Sequence, residues 1–306
     1  MQIFDLAISF EWEFDTDFVN LMEKNLQSSG FTTYIIQKHN LVETIERLSN
    51  KEIHFLAYFD RAGDVDYDFV PLTNLLIRKR TYLINPYSKV VTYINKAIMH
   101  NLLIRHKIHV PFTIILPPLK TKKDTVISIK EWEYIGKPFV IKPAFYTGGK
   151  EGVIVNAQSL FDVIEERRKL PDDRYLIQKK IYPQYLEGKR AWFRIIWAFG
   201  EALPSWWNDL TDLYQVLTDD EIKKYNLHKL ISITKKIAAI SGLDYFSTEI
   251  TLAEDNNFYA IDYLNDQCDM RLRSIHPDGV PDEIVTKFIE KLGDKLKKIK
   301  RAYHLQ

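Results

Sequence analysis

Residues 244–271 read DYFSTEITLAEDNNFYAIDYLNDQCDMR. Two runs rich in aromatic and β-branched residues flank Asp255-Asn256, a pair suited to a tight two-residue turn with positive φ, so the stretch predicts an antiparallel hairpin. With that pair as the loop, Glu254 faces Asn257 and, further along, Glu249 faces Asp262. Directly opposed residues on one sheet face hold their Cβ atoms about 4.5–5.5 Å apart, and two carboxylates at that spacing repel unless a cation lies between them. A hard divalent ion relieves the repulsion, and Asn265 just beyond offers a neutral oxygen ligand. Without the ion, removing either acid should leave the fold intact or slightly more stable. The other reading is that both acids face solvent on an exposed sheet face; spacing alone leaves both open.

A second stretch, residues 137–155, reads KPFVIKPAFYTGGKEGVIV. Lys142 ends an apolar strand and precedes a loop in which Gly148, Gly149 and Gly152 fall within five positions. Glycines lose more backbone entropy on ordering than other residues, so three together suggest a backbone that closely approaches a ligand. Unpaired backbone N–H groups on such a loop form an anion cradle, which suits phosphate. An ordinary hairpin turn and a solvated strand-end lysine are the alternatives. The GxxxxGK[ST] spacing of a P-loop is missing, as is a GxGxxG after the first strand.

Outward from these stretches, residues 1–110 alternate strand-like and helix-like patterns, the signature of a parallel α/β sheet. Strands are expected at 4–9, 33–37, 54–59 and 82–85, helices at 17–29 and 41–48, and one long helix over 88–106. Pro111, Pro117 and Pro118 then mark an extended crossover. Residues 111–183 read as a smaller α/β unit, with strands at 139–142, 152–156 and 175–178 and a helix at 159–169. Residues 184–306 read as a third unit, with a long strand over 190–199, a helix over 222–241, the hairpin and a terminal helix from about Pro281. Fold class is therefore α/β, in three units.

Composition excludes several alternatives. Lys plus Arg number 42 against 41 Asp plus Glu, so no global field draws the chain to nucleic acid or an anionic membrane, and any polyanion is bound locally. The single cysteine, Cys268, can form neither an internal disulfide nor a cysteine-based zinc site, and reads as a buried thiol. No apolar run approaches the roughly 18 residues of a membrane span, and the acidic N-terminal stretch does not read as a signal peptide, which points to a soluble, cytoplasmic protein.

Taken together and in order, these stretches resemble the ATP-grasp superfamily, which includes D-alanine:D-alanine ligase, glutathione synthetase and the peptide-tail glutamate ligases. The resemblance covers essentially the whole chain and implies an N-terminal α/β domain, a central lid domain and a C-terminal domain carrying metal ligands. NKAIMHNLLIRHKIHVP resembles the segment whose lysine touches ATP phosphate, nominating Lys96. VIKPAFYTGGKEGV resembles the phosphate-covering strand and loop, nominating Lys142, Gly148 and Gly149. YLIQKKIYP resembles the hinge whose main chain reads adenine, nominating Gln178, Lys179 and Ile181. RIIWAFGEALPSWW resembles the strand bearing a phosphate-binding arginine, here Arg194. FSTEI and YAIDYLNDQ resemble the two metal-binding strands, nominating Glu249, Asp262 and Asn265.

The chain departs from the family at several points. Metal ligands there commonly read acid-x-Asn, whereas two residues separate Asp262 from Asn265, so a bulge must re-aim one side chain. Gln178 stands where the hinge often has Glu, and Trp192 where an acid often precedes the arginine. Ribose recognition then falls to Glu187. The resemblance implies ATP and Mg²⁺ (or Mn²⁺) as cofactors and a carboxylate–amine ligase working through an acyl-phosphate. The acceptor is a small molecule or peptide, anionic if Arg271 and Arg273 hold it, with Arg271 as a further catalytic candidate. A kinase acting on a polyol or inositol phosphate, or a non-catalytic ATP-binding module, are the rivals. Trp206 and Trp207 read either as a wall of the acceptor pocket or as packing residues.

Overall fold

The computed structural model describes residues 1–63, 66–121, 126–145 and 152–304. Along the first part of the chain β1 (Gln2–Phe10), α1 (Thr16–Ser28), β2 (Thr33–Ile36), α2 (Leu41–Ser49), β3 (Ile53–Arg61), α3 (Val70–Arg78) and β4 (Tyr82–Ile84) alternate. The strands form a parallel sheet of order β2-β1-β3-β4. Leu6, Ala7 and Ile8 are all fully buried, as expected of a parallel sheet covered on both faces. Helix α3 was not marked by the periodicity; Pro71 near its start is tolerated because the first helical N–H groups have no partner to lose.

The single helix expected over 88–106 is two, α4 (Tyr87–Tyr93) and α5 (Lys96–Arg105). Asn95 makes the break: its backbone is extended and its side-chain oxygen accepts from the N–H groups of Ala97 and Ile98 at 3.1 Å, capping a new helix. The next strands and helices are β5 (Thr113–Leu116), α6 (Ile129–Ile135), β6 (Phe139–Pro143), β7 (Ile154–Ala157), α7 (Leu160–Lys169) and β8 (Tyr175–Lys179). Their strands pair antiparallel in the order β5-β8-β6-β7 over a core of Phe139, Ile141, Tyr175 and Ile177. Capping boxes at Ser128/Glu131 and Ser159/Asp162 start α6 and α7.

A short hairpin, β9 (Tyr185–Leu186) and β10 (Lys189–Arg190), leads into β11 (Trp192–Ala198), β12 (Glu201–Asn208), β13 (Leu213–Val216), α8 (Asp219–Lys224), α9 (His228–Ser241), β14 (Tyr245–Leu252), β15 (Phe258–Asn265) and α10 (Asp282–His304). The helix expected over 222–241 is divided into α8 and α9, with Asn226 at φ 55° between them. The third sheet is antiparallel, in the order β13-β12-β11-β14-β15. One face, with Phe193, Ile195, Trp206 and Ile250, packs on Leu230 of α9. At one end of the other face, Ile196, Ala198 and Tyr245 join Phe18, Phe59 and Phe288 in a core shared with the first sheet and α10.

A buried ion pair reinforces that junction. Arg61 at the end of β3 donates to both oxygens of Asp15 at 2.7 Å and to the carbonyl of Cys268 at 3.1 Å. Cys268 is a buried free thiol, as its sequence context suggested, and burial pushes it up to about 12. Among the described residues no helix is long and apolar enough to cross a membrane.

Candidate active site

Beyond the shared core, the same face of the third sheet carries Trp192 and Arg194 on β11, Glu249 on β14, and Asp262 and Asn265 on β15. Arg194 lies directly opposite Glu249, and Glu249 directly opposite Asp262, so three charged residues line up across three adjacent strands. The sequence-derived pairing of the two acids holds, but the turn that led to it differs. The loop has three residues, with Ala253 and Asn257 closing it and Asn256 at φ 63°. From there Leu252 faces Phe258 and Ile250 faces Ala260, one residue short of the expected register. A bulge at Ile261 adds the missing residue and returns Asp262 to its place opposite Glu249.

The bulge has a second effect, because the Ile261 carbonyl accepts from the Lys142 ammonium at 2.9 Å. A further register shift sets Asn265 opposite Ser247, two residues along β14 from Glu249 and so on the same face. That is the re-aiming which the extra residue between Asp262 and Asn265 demanded.

Two lysines reach this face from other elements. Lys142 lies near the end of β6 and Lys96 begins α5; they are 5% and 8% exposed. The backbone N–H of Lys96 donates to the Ala144 carbonyl at 2.7 Å, tying the helix to the end of β6. A lysine at a helix N-terminus opposes the helix dipole, and its ammonium is turned to Asp262, 3.6 Å from Oδ1. Burial lowers the Lys142 ammonium to about 8; Lys96 adds to that, while Asp262 and Glu249 oppose it. Burial pushes Asp262 up, but Lys96, Lys142 and Arg194 outweigh it and hold the carboxyl below its usual range. The expectation that the two acids repel in the metal-free protein is thus corrected: three cations on the same face match them.

Arg194 is fixed on several sides. It donates from Nε to Glu249 Oε1 at 3.1 Å, its Nη2 also meets that oxygen, it bonds the Tyr214 hydroxyl at 3.2 Å, and its guanidinium lies 3.8 Å from the centre of the Trp207 ring. Burial lowers its pKa, but the charges of Glu249 and Tyr214 and the hydrogen bonds to both together outweigh it, and the net shift is upward. Trp192 donates its indole N–H to the other oxygen, Glu249 Oε2, at 2.9 Å. Trp206 and Trp207 are both buried in the core clusters, and Trp207 additionally seats Arg194.

Behind the lysines lies a buried polar network that the sequence reading did not find. Gln178 donates from Nε2 to both Thr113 Oγ1 and the Tyr263 hydroxyl at 2.8 Å. The Tyr263 hydroxyl is in turn hydrogen-bonded to His100 Nδ1, 2.7 Å away. Burial first, and Lys142 second, lowers His100 to about 4, so the ring is held neutral. The Tyr263 ring also lies 5.1 Å below the Lys142 ammonium. One signal was available: His100 stands four residues after Lys96, one turn along the same helix face.

Other nominated residues lie apart from the cluster. The Gln178 side chain is turned inward, and the Lys179 backbone N–H is taken by the Phe112 carbonyl at 2.9 Å. Ile181 follows β8, half-buried. Glu187, at φ 48° in the tip between β9 and β10, pairs with Lys224 of α8 rather than with the cluster. Arg271 is held by Asp269 at 2.8 Å and Asp278 at 2.9 Å, so two carboxylates already match its charge. Arg273 donates to the Tyr214 carbonyl at 2.5 Å. Gly148 and Gly149 lie outside the described residues.

The donor set fits a magnesium-like ion. Glu249 and Asp262 oppose each other, Asn265 lies on their face, and buried Asp262 Oδ1 makes no hydrogen bond. Among the described residues no third acid, histidine or cysteine completes a metal cluster, which suits an ion completed by phosphate oxygens rather than by an all-protein cage.

No protein-family model and no curated protein matches this sequence. Solved structures do match. They include the D-alanine–D-alanine ligase of Bacillus anthracis complexed with ATP, at 16% identity over 97% of this chain and 99% of that one, with a TM-score of 0.62. An ATP-grasp RimK domain protein from Sphaerobacter thermophilus matches at 17% identity over 94% and 98%, with a TM-score of 0.63. The ATP-grasp ligase PsnB complexed with minimal precursor, Mg and ADP matches at 12% identity over 94% and 98%, with a TM-score of 0.58. The chain has the ATP-grasp fold.

Proposed function

We propose that the protein is an ATP- and Mg²⁺-dependent ligase that joins a carboxylate to an amine through an acyl-phosphate, releasing ADP and phosphate. The observation that carries this reading is the convergence of Lys96, Lys142 and Arg194 with Glu249 and Asp262 on one face of the third sheet. Among the described residues three cations and two carboxylates meet on that face, which suits a polyanion bound together with a divalent cation. The domain division at residues 110 and 183, with ATP held between the second and third units, belongs to the same reading, as does a cytoplasmic location.

In this mechanism Lys96 and Lys142 hold phosphate oxygens as point charges, and Arg194 matches the transferring phosphoryl group with its planar fork. Glu249, Asp262 and Asn265 would hold Mg²⁺, which when bound neutralises charge on the phosphate oxygens. The acceptor carboxylate attacks the γ-phosphorus, ADP leaves, and the amine displaces phosphate from the acyl-phosphate. The protein supplies no nucleophile; its residues position the reactants and compensate charge.

A screen of acids, amines and polyols for stimulated ADP formation, with mass spectrometry of the products, tests the reading. Free phosphate beside a condensed product supports it. Phosphate retained on the product makes the enzyme a kinase, and nucleotide binding without turnover under any combination makes it a binding module.

A further inference from the structure

Both oxygens of Glu249 are already occupied by donors from the adjacent strand. Oε1 accepts from Arg194 Nε at 3.1 Å and Oε2 from Trp192 Nε1 at 2.9 Å, with the Glu249 side chain only 13% exposed. Asp262 differs: its Oδ1 makes no hydrogen bond, and the Lys96 ammonium stands 3.6 Å away. Of the two carboxylates suited to a divalent ion, one is hydrogen-bonded at both oxygens and the other is paired with a lysine.

We infer that Arg194 and Trp192 form a latch on Glu249 which keeps the divalent-ion site incomplete until a phosphate group replaces Glu249 on the Nε and Nη2 edge of Arg194. The inference rests on the proposed ATP-dependent activity and adds to it an order of assembly. Arg194 is suited to the exchange because its seat does not depend on Glu249. Stacking on Trp207 at 3.8 Å and the bond to Tyr214 at 3.2 Å can hold its guanidinium while its Nε and Nη2 edge trades a carboxylate for a phosphate, both of which accept two hydrogen bonds from its planar fork. Trp192 is a positioning residue that orients the Glu249 carboxylate from the other side. Because coupling between two ligands is reciprocal, each should bind weakly until the other is present.

The test measures Mn²⁺ binding by electron paramagnetic resonance, with and without the β,γ-imido analogue of ATP. Wild type should hold Mn²⁺ weakly alone and at least about tenfold more tightly with the analogue, within the usual range of coupling between sites. Trp192→Phe, which keeps an aromatic ring and the charge but removes the N–H, should tighten nucleotide-free Mn²⁺ binding by about tenfold, as expected for loss of one hydrogen bond to a carboxylate. Arg194→Met should tighten it further and reduce the gain on adding the analogue. Lys96→Met removes a cation near Asp262 without touching Glu249 and calibrates the purely electrostatic effect. Unchanged Mn²⁺ affinity in Trp192→Phe, with equal effects of Arg194→Met and Lys96→Met, would overturn the latch. If Arg194→Met does not fold, the Trp192→Phe result alone decides. Wild type that binds the analogue and Mn²⁺ independently overturns the latch only; wild type that binds no nucleotide sinks the proposed function with it.

Discussion

Replacing Asp262 by Asn removes one charge without changing volume, and the structure sets both the sign and the size of its effect on the metal-free protein. If repulsion between Glu249 and Asp262 dominated, the variant would be more stable. The Asp262 carboxylate instead lies 3.6 Å from the Lys96 ammonium and acts on Lys142, which burial has already lowered to about 8. Removing one partner of a fully buried pair costs about 3–5 kcal/mol. Asp262 is 38% exposed, so water screens part of the interaction and about 1–2 kcal/mol is expected. For a chain of this size that corresponds to a fall in melting temperature of roughly 2–4 °C per kcal/mol. Because the folded-state pKa of Asp262 is depressed, this stability is present at pH 7 and lost as pH falls through that depressed value. The wild-type and variant curves should therefore converge in acid. Melting followed by circular dichroism between pH 3 and pH 7, without divalent metal, checks this. An unchanged or higher melting temperature for Asp262→Asn at pH 7 would refute the charge-matched account of the site.

Other consequences are equally direct. Lys142→Ala should weaken ATP binding by tenfold or more while leaving the melting temperature unchanged or raised, since it removes a buried ammonium; calorimetry and thermal melts measure the two effects, and unchanged nucleotide affinity removes Lys142 from the site. In the empty protein Lys142 loses its proton above about pH 8, so nucleotide binding there should take up a proton and weaken with rising pH; titration in buffers of different ionisation enthalpy should show the uptake in wild type and not in Lys142→Met. Asp15→Asn leaves the Arg61 guanidinium buried beside a neutral partner and should cost about 3–5 kcal/mol in denaturant titrations, whereas a loss under about 1 kcal/mol would mean that the pair contributes little at that junction. Tyr263→Phe leaves His100 Nδ1 and Gln178 without the hydroxyl that joins them and should raise the KM for ATP more than it lowers kcat; an effect on kcat alone would detach this network from nucleotide binding.

How far the sequence reveals this arrangement depends on how locally each feature is encoded. The β/α alternation of the first hundred residues was plain because apolar periodicity and the Gly30 stop are local signals. The break at Asn95 was missed because hydrophobic residues continue across it, although Asn at an N-cap is itself a local signal. Opposition of Glu249 and Asp262 was found through a two-residue turn that does not exist; the three-residue loop and the bulge at Ile261 offset each other. Lys142 stood out by its place at a strand end before the glycine loop, whereas Lys96 was visible only through resemblance, since nothing in a sequence shows that a helix start and a strand end converge. The Trp192 and Tyr214 contacts with the Glu249–Arg194 pair, like the Gln178–Tyr263–His100 network, join residues far apart in sequence and are legible only in the fold.

The most direct test of the central claim follows the oxygen. With an acceptor identified by the substrate screen and labelled with ¹⁸O in its carboxylate, the ³¹P spectrum of the released phosphate reports which atom attacked the γ-phosphorus. An acyl-phosphate pathway transfers one ¹⁸O from the acceptor into each phosphate formed, and the condensed product retains the other. Unlabelled phosphate accompanying condensed product, or label found only in a phosphorylated acceptor, would contradict it.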